Sequence, residues 1–141
     1  MSDLYGTDVV EWSERQARLL RGLAARQPSN ELPDWDNIIE EVESVGRSQV
    51  DAVESLLTQA FLHELTVAAW PTSRDVLHWK AEARLFRRLA RRKYTPSMHQ
   101  KLNVTTLYGD ALTGLPDAMD DQPGLPVPQS CPVTLDELLR E

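Results

Sequence analysis

Trp35-Asp36-Asn37-Ile38-Ile39-Glu40-Glu41-Val42-Glu43-Ser44-Val45-Gly46-Arg47-Ser48 joins helix-start chemistry, an apolar stripe at helical spacing, clustered carboxylates and one glycine. Asp34 or Asp36 supplies an N-cap, the short side chain that accepts from the unpaired amides of a first turn. Ile38, Ile39, Val42 and Val45 then recur every three or four residues, the period of a helix that buries one face. Glu40, Glu43 and Arg47 share the opposite face, with Glu43 and Arg47 spaced as an i,i+4 ion pair, and Glu41 stands on the flank. Glycine inside a helix costs about 1 kcal/mol relative to alanine, so Gly46 marks a helix end. Ser48-Gln49-Val50-Asp51 restarts as a capping-box-like sequence. The stretch therefore reads as an elbow between two helices of a bundle.

The same periodicity extends in both directions. Upstream, a helix is expected from about Asp8 to Arg26, capped by Thr7, with Val9, Ser13, Ala17, Leu20, Leu23 and Ala24 on its core face and Trp12 and Leu19 flanking. Gln27 to Pro33 is a loop broken by two prolines. Downstream of the elbow, about Gln49 to Ala69 carries Val53, Leu56, Leu57, Ala60, Phe61, Val67 and Ala68 on one face. Glu64 projects into the middle of that face, and His63 sits at its edge. A carboxylate there needs a partner, either an arginine of the next helix or His63. Trp70-Pro71 stops this helix.

A fourth helix, about Arg74 to Tyr94, turns Val76, Trp79, Ala83, Phe86, Leu89 and Ala90 inward. Lys80, Arg84, Arg87, Arg88 and Arg91 form a basic stripe opposite. Thr95-Pro96 has the form of an N-cap followed by proline at the first helical position, opening a fifth helix to about Thr113. The expected organisation is one all-α domain: a helical bundle over 1–113, a proline-rich strap over 114–132, and a short terminal helix over 133–141 capped by Thr134.

Composition narrows the function. The chain has 141 residues, 41% hydrophobic and 26% charged, which suits one globular domain rather than a disordered or fibrous chain. The single cysteine, Cys131, excludes an intrachain disulfide and paired CxxC metal frameworks, as expected in a reducing cytoplasm. Neither a signal-peptide pattern nor a membrane-length apolar run is present. The net charge of −7 argues against general nucleic-acid binding, but the charge is uneven. Glu31 to Glu54 holds eight acidic residues and one basic, and Lys80 to Lys101 the reverse.

No constellation announces catalysis. Residue 60, three before His63, is alanine, so the Glu-x-x-His pair of carboxylate-bridged metal sites is absent. Glu41, His63 and Glu64 remain the candidate metal ligands. The serines lack a nucleophile-elbow context, and phosphate-cradling glycine loops and DNA-binding spacings are missing. The expectation is a non-enzymatic protein without a cofactor. Its candidate interaction and polar-network residues are Trp35, Glu40, Glu41, Glu43, Arg47, His63, Glu64, Trp79, Arg84, Arg87, Arg88 and Arg91. The expected partner is another protein or a second copy, through the acidic helix face or the strap, in the manner of an antitoxin or inhibitor subunit. Nucleic acid on the Lys80 to Lys93 face is the alternative.

Taken together, Trp12 with Leu19-Leu20-Arg21, Asp34-Trp35-Asp36-Asn37 with Glu40-Glu41-Val42-Glu43-Ser44, Gly46-Arg47-Ser48, His63, Trp70-Pro71, Trp79, Pro96-Ser97, Tyr108 and Cys131-Pro132-Val133-Thr134-Leu135 with Leu138-Leu139 form a combined pattern. It resembles the bacterial family called domain of unknown function 29. The resemblance implies an all-helical fold and no established activity. Glu64 departs from that pattern, which has leucine there.

Overall fold

The computed structural model describes residues 3–26 and 33–140. The architecture is all-helical, with one tiny two-stranded sheet. The helices are α1 (Leu4–Thr7), α2 (Val9–Ala25), α3 (Trp35–Ala69), α4 (Val76–Lys93), α5 (Val104–Gly114) and α6 (Leu135–Leu138), with a 3-10 helix at Pro96–Gln100 before α5. Strands β1 (Ala118–Met119) and β2 (Gln122–Pro123) pair antiparallel in the strap. No described helix is long and apolar enough to cross a membrane. The chain divides into two compact units: residues up to Asp51 with Thr95–Lys101, and Ala52–Tyr94 with the chain from Leu102 onward.

In the first unit, Asp8 rather than Thr7 caps α2. Its Oδ1 accepts from the Glu11 amide at 3.1 Å, while its two oxygens also take the Ser97 hydroxyl at 2.6 Å and the Ser97 amide at 2.9 Å. One buried carboxylate thus joins the start of α2 to the 3-10 helix. Burial alone would push its pKa up, but the hydrogen bonds from Ser97 and Glu11 outweigh that and hold it below the ordinary value. Val10, Ser13 and Ala17 are the buried residues of α2, and Ile39 and Met98 complete the unit's apolar core. Of the stripe expected on α3, Ile38 and Val45 are exposed instead, and on α2 so are Leu23 of the stripe and Leu19 on its flank.

Gly46 does not end a helix. α3 runs unbroken through it for 35 residues, so the expected elbow is absent. The glycine serves close approach: a Cβ there would lie 3.0 Å from Ser13 Oγ and 3.1 Å from Ser13 Cβ. The Gly46 amide donates to Ser13 Oγ at 3.3 Å, and that hydroxyl donates to the Val42 carbonyl. Val10 also faces Gly46, so α2 and the first half of α3 meet at a glycine–serine contact.

The second unit buries Val53, Leu57, Ala60, Phe61 and Leu65 of α3 with Ala83 and Ala90 of α4, Leu107, Tyr108 and Ala111 of α5, and Leu135 and Leu138 of α6. Phe61 and Tyr108 meet edge to face at 5.3 Å. The fifth helix starts later than Pro96. Thr95 makes no side-chain cap bond, a single 3-10 segment follows, and Asn103 caps α5 by accepting from Thr106 N at 3.2 Å. The strap is bound to its own unit. Tyr108 Oη donates to Pro128 O at 2.5 Å, Trp70 Nε1 donates to Gln122 O at 3.0 Å, and Leu125 N donates to Ala69 O at 2.9 Å. It also contains strand pairing that the sequence does not announce. Asp120 and Asp121, at φ 51° and 63°, form the two-residue hairpin turn with both residues left-handed, where Asn-Gly is the usual solution.

Candidate interaction surface

In the first unit, Glu40 and Glu43 of α3 are held in ion pairs. Arg47 pairs with Glu40, two turns away on the same face of the helix, and not with Glu43 as the i,i+4 spacing suggests. Glu43 instead takes Arg21 of α2. Lys101 pairs with Glu14 and Arg15 with Glu11. Glu41 is exposed, and Trp35 is half-buried with its Nε1 in a buried position that finds no hydrogen-bond partner.

In the second unit, Glu64 and Arg87 form an ion pair at 2.6 Å, both side chains being about a third exposed at 37% and 29%. Burial raises the Glu64 pKa, the Arg87 charge opposes the rise, and the net direction is upward. His63 lies beside this pair without joining it. Its Nδ1–H donates to Gln59 O at 2.8 Å, the tautomer a carbonyl requires, and its ring rests on Phe86 at 5.2 Å. Among the described residues no group of three His, Cys, Asp or Glu side chains could hold a metal ion, so Glu41, His63 and Glu64 are not gathered as ligands. Trp79 is half-buried on α4.

Arg87 also borders a groove of about 520 Å³ lined by Arg84, Leu85, Arg88, Arg91 and Arg140. Arg91 Nη1 donates to the Arg140 carbonyl at 3.4 Å, which brings the C-terminal segment to the groove's rim. Arg84 and Arg88 have no carboxylate partner among the described residues, and the buried Arg87 Nε lacks an acceptor. Along α4, Leu77, Ala81, Arg84 and Arg88 follow i, i+4, i+7, i+11 spacing, and all four are exposed. Leu77 is 80% exposed and Leu85 46%. The outer face of α4 therefore mixes guanidinium groups with two large apolar side chains. The arginines are legible in the sequence, whereas Arg140, far away in the chain, and the leucines are not, since their exposure follows only from where α4 turns its inner side.

The family profile described as Domain of unknown function DUF29 matches residues 4–141. The chain belongs to that family. A solved structure similar to it is an alpha-helical protein of unknown function from Rhodospirillum rubrum ATCC 11170, 24% identical, with a TM-score of 0.84 over 100% of this chain and 92% of that one. At that identity the likeness concerns the fold. No curated protein matches the chain.

Proposed function

We propose that this DUF29 protein is a non-catalytic protein-binding or regulatory module, in the manner of an antitoxin or an inhibitor or accessory subunit. Its recognition surface is the outer face of α4 together with Arg140, and its ligand is an acidic segment with apolar side chains on a partner protein. The observation that carries this reading is the pairing of Leu77 and Leu85 with Arg84 and Arg88 on one exposed face. Acidic groups complement the arginines and speed encounter, while the leucines supply the apolar centre that a protein interface requires. The acidic face of α3 is a weaker candidate, because Glu40 and Glu43 already hold arginines, and the strap is held by its own unit.

Nucleic acid on the same face is the second reading, favoured by the run of guanidinium groups. The leucines distinguish the two, since a phosphate backbone gains nothing from Leu77. The test is binding of two labelled probes at about 50 mM salt, where phosphate contacts are strongest: a helical peptide of alternating Glu and Leu turns, and a 20-nucleotide single strand. The expected result is saturable peptide binding, weakened by Leu77→Ser and by Arg84→Glu with Arg88→Glu. Strand binding that ignores Leu77→Ser, or no binding of either probe, would overturn the proposal.

A further inference from the structure

The outer face of α2 leaves two large apolar side chains exposed. Leu19 is 62% exposed and Leu23 48%, and they border a shallow groove of about 550 Å³ with Arg18, Gly22 and Arg26. Gly22 has no neighbour within 4 Å of the place a Cβ would occupy, so packing within this chain does not require glycine there. An unneeded glycine in a helix interior is a liability, but between two exposed leucines it lets another helix come close. Arg18 and Arg26 give this face a positive border, and neither has a carboxylate partner among the described residues.

The first half of α3 carries a face of the opposite character. Ile38 is 39% exposed and Val45 37%, and Asp34 and Glu41 fall on the same side at i−4 and i+3 from Ile38, both exposed. One unit therefore presents a leucine face edged by arginine and an isoleucine–valine face edged by carboxylate. Two basic α2 faces would repel each other, so the complementary occupant on this same chain is the α3 face of another copy.

We infer that the protein self-associates, the Leu19–Gly22–Leu23 face of α2 in one copy seating on the Ile38–Glu41–Val45 face of α3 in a second copy. Each copy offers both faces, so the contact is a heterologous one, α2 of one copy against α3 of the next. None of these residues lines the α4 groove, so self-association and capture of an acidic partner are tested by different substitutions.

Sedimentation equilibrium of the full chain, over about 1 to 200 μM, tests the inference with two charge reversals at exposed positions. The wild type associates; Arg18→Glu weakens association at least tenfold, and Glu41→Lys does the same. An equimolar mixture of the two variants recovers it, because each reversed α2 face then meets a reversed α3 face. Leu19→Ser with Leu23→Ser abolishes association in every combination, and circular dichroism matching the wild type confirms that all variants fold. A wild type that stays monomeric to 200 μM, or single variants that associate as the wild type does, would overturn the inference. So would a mixture that fails to recover association.

Discussion

Gly46→Ala sets two opposed terms against each other at a single atom. Glycine to alanine in a helix interior stabilises by about 1 kcal/mol through backbone entropy and solvation. Here the new Cβ would stand 3.0 Å from Ser13 Oγ and 3.1 Å from Ser13 Cβ, several tenths of an ångström inside ordinary contact. The serine cannot simply rotate away, because its hydroxyl donates to the Val42 carbonyl, a bond contributing about 1 kcal/mol net. Overpacking at such a site costs about 1–3 kcal/mol. The expected balance is a net loss of about 1 kcal/mol, a fall of roughly 3 °C in Tm for a chain of this size. Ser13→Gly removes both atoms that clash, so in that background Gly46→Ala should stabilise by about 1 kcal/mol. The coupling between the two sites is then about 2 kcal/mol, well above the scatter of independent sites. Urea unfolding followed by far-ultraviolet circular dichroism across the four proteins measures it. Equal stabilisation by Gly46→Ala in both backgrounds would refute the close-approach reading and leave Gly46 an ordinary helix-interior position.

Arg87→Met should destabilise at pH 7 by about 1–2 kcal/mol, a figure discounted for partial exposure, because it leaves the half-buried Glu64 carboxylate unpaired, whereas Glu64→Leu should be close to neutral. Since the Glu64 pKa is raised on folding, its ionisation opposes folding above the ordinary carboxylate range, and the Arg87→Met deficit should shrink as pH falls and Glu64 protonates. Asp8 has the opposite sign: its pKa is lowered, so its contribution is complete above the ordinary carboxylate value and is lost as pH falls through the folded one. Asp8→Ala should therefore cost about 1–2 kcal/mol at pH 7 and flatten the acid limb of the stability curve in denaturant titrations. Replacing Asp120-Asp121 by Asn-Gly should raise stability by about 1 kcal/mol by suiting both left-handed positions, and an unchanged unfolding midpoint would contradict the hairpin turn. Trp70→Phe should cost about 1 kcal/mol through loss of the Nε1 bond to Gln122, with earlier amide exchange in the strap.

Local chemistry determined much of this protein from its sequence alone. The 3.6-residue recurrence of apolar positions in α2, α3 and α4 made the all-helical class legible, because a helix that must bury one stripe writes that period into the chain. Pro71 ended α3 at Ala69, and Thr134 capped α6, since both act through atoms a few residues away. The need of Glu64 for an arginine of the next helix was legible, because a carboxylate on an apolar face calls for a partner, but most contacts between distant segments were not. Gly46 looked like a stop because its cost is local, while its reason, Ser13, lies 33 residues away. Glu43 looked like the partner of Arg47 because spacing is local, while Arg21 reaches it from another helix. Periodicity placed Ile38 and Val45 in a core face and Arg84 and Arg88 on an outer one. Only the tertiary structure could decide that Ile38, Val45, Leu19, Leu23, Leu77 and Leu85 remain exposed, because exposure depends on which neighbours arrive rather than on the helix that carries the side chain.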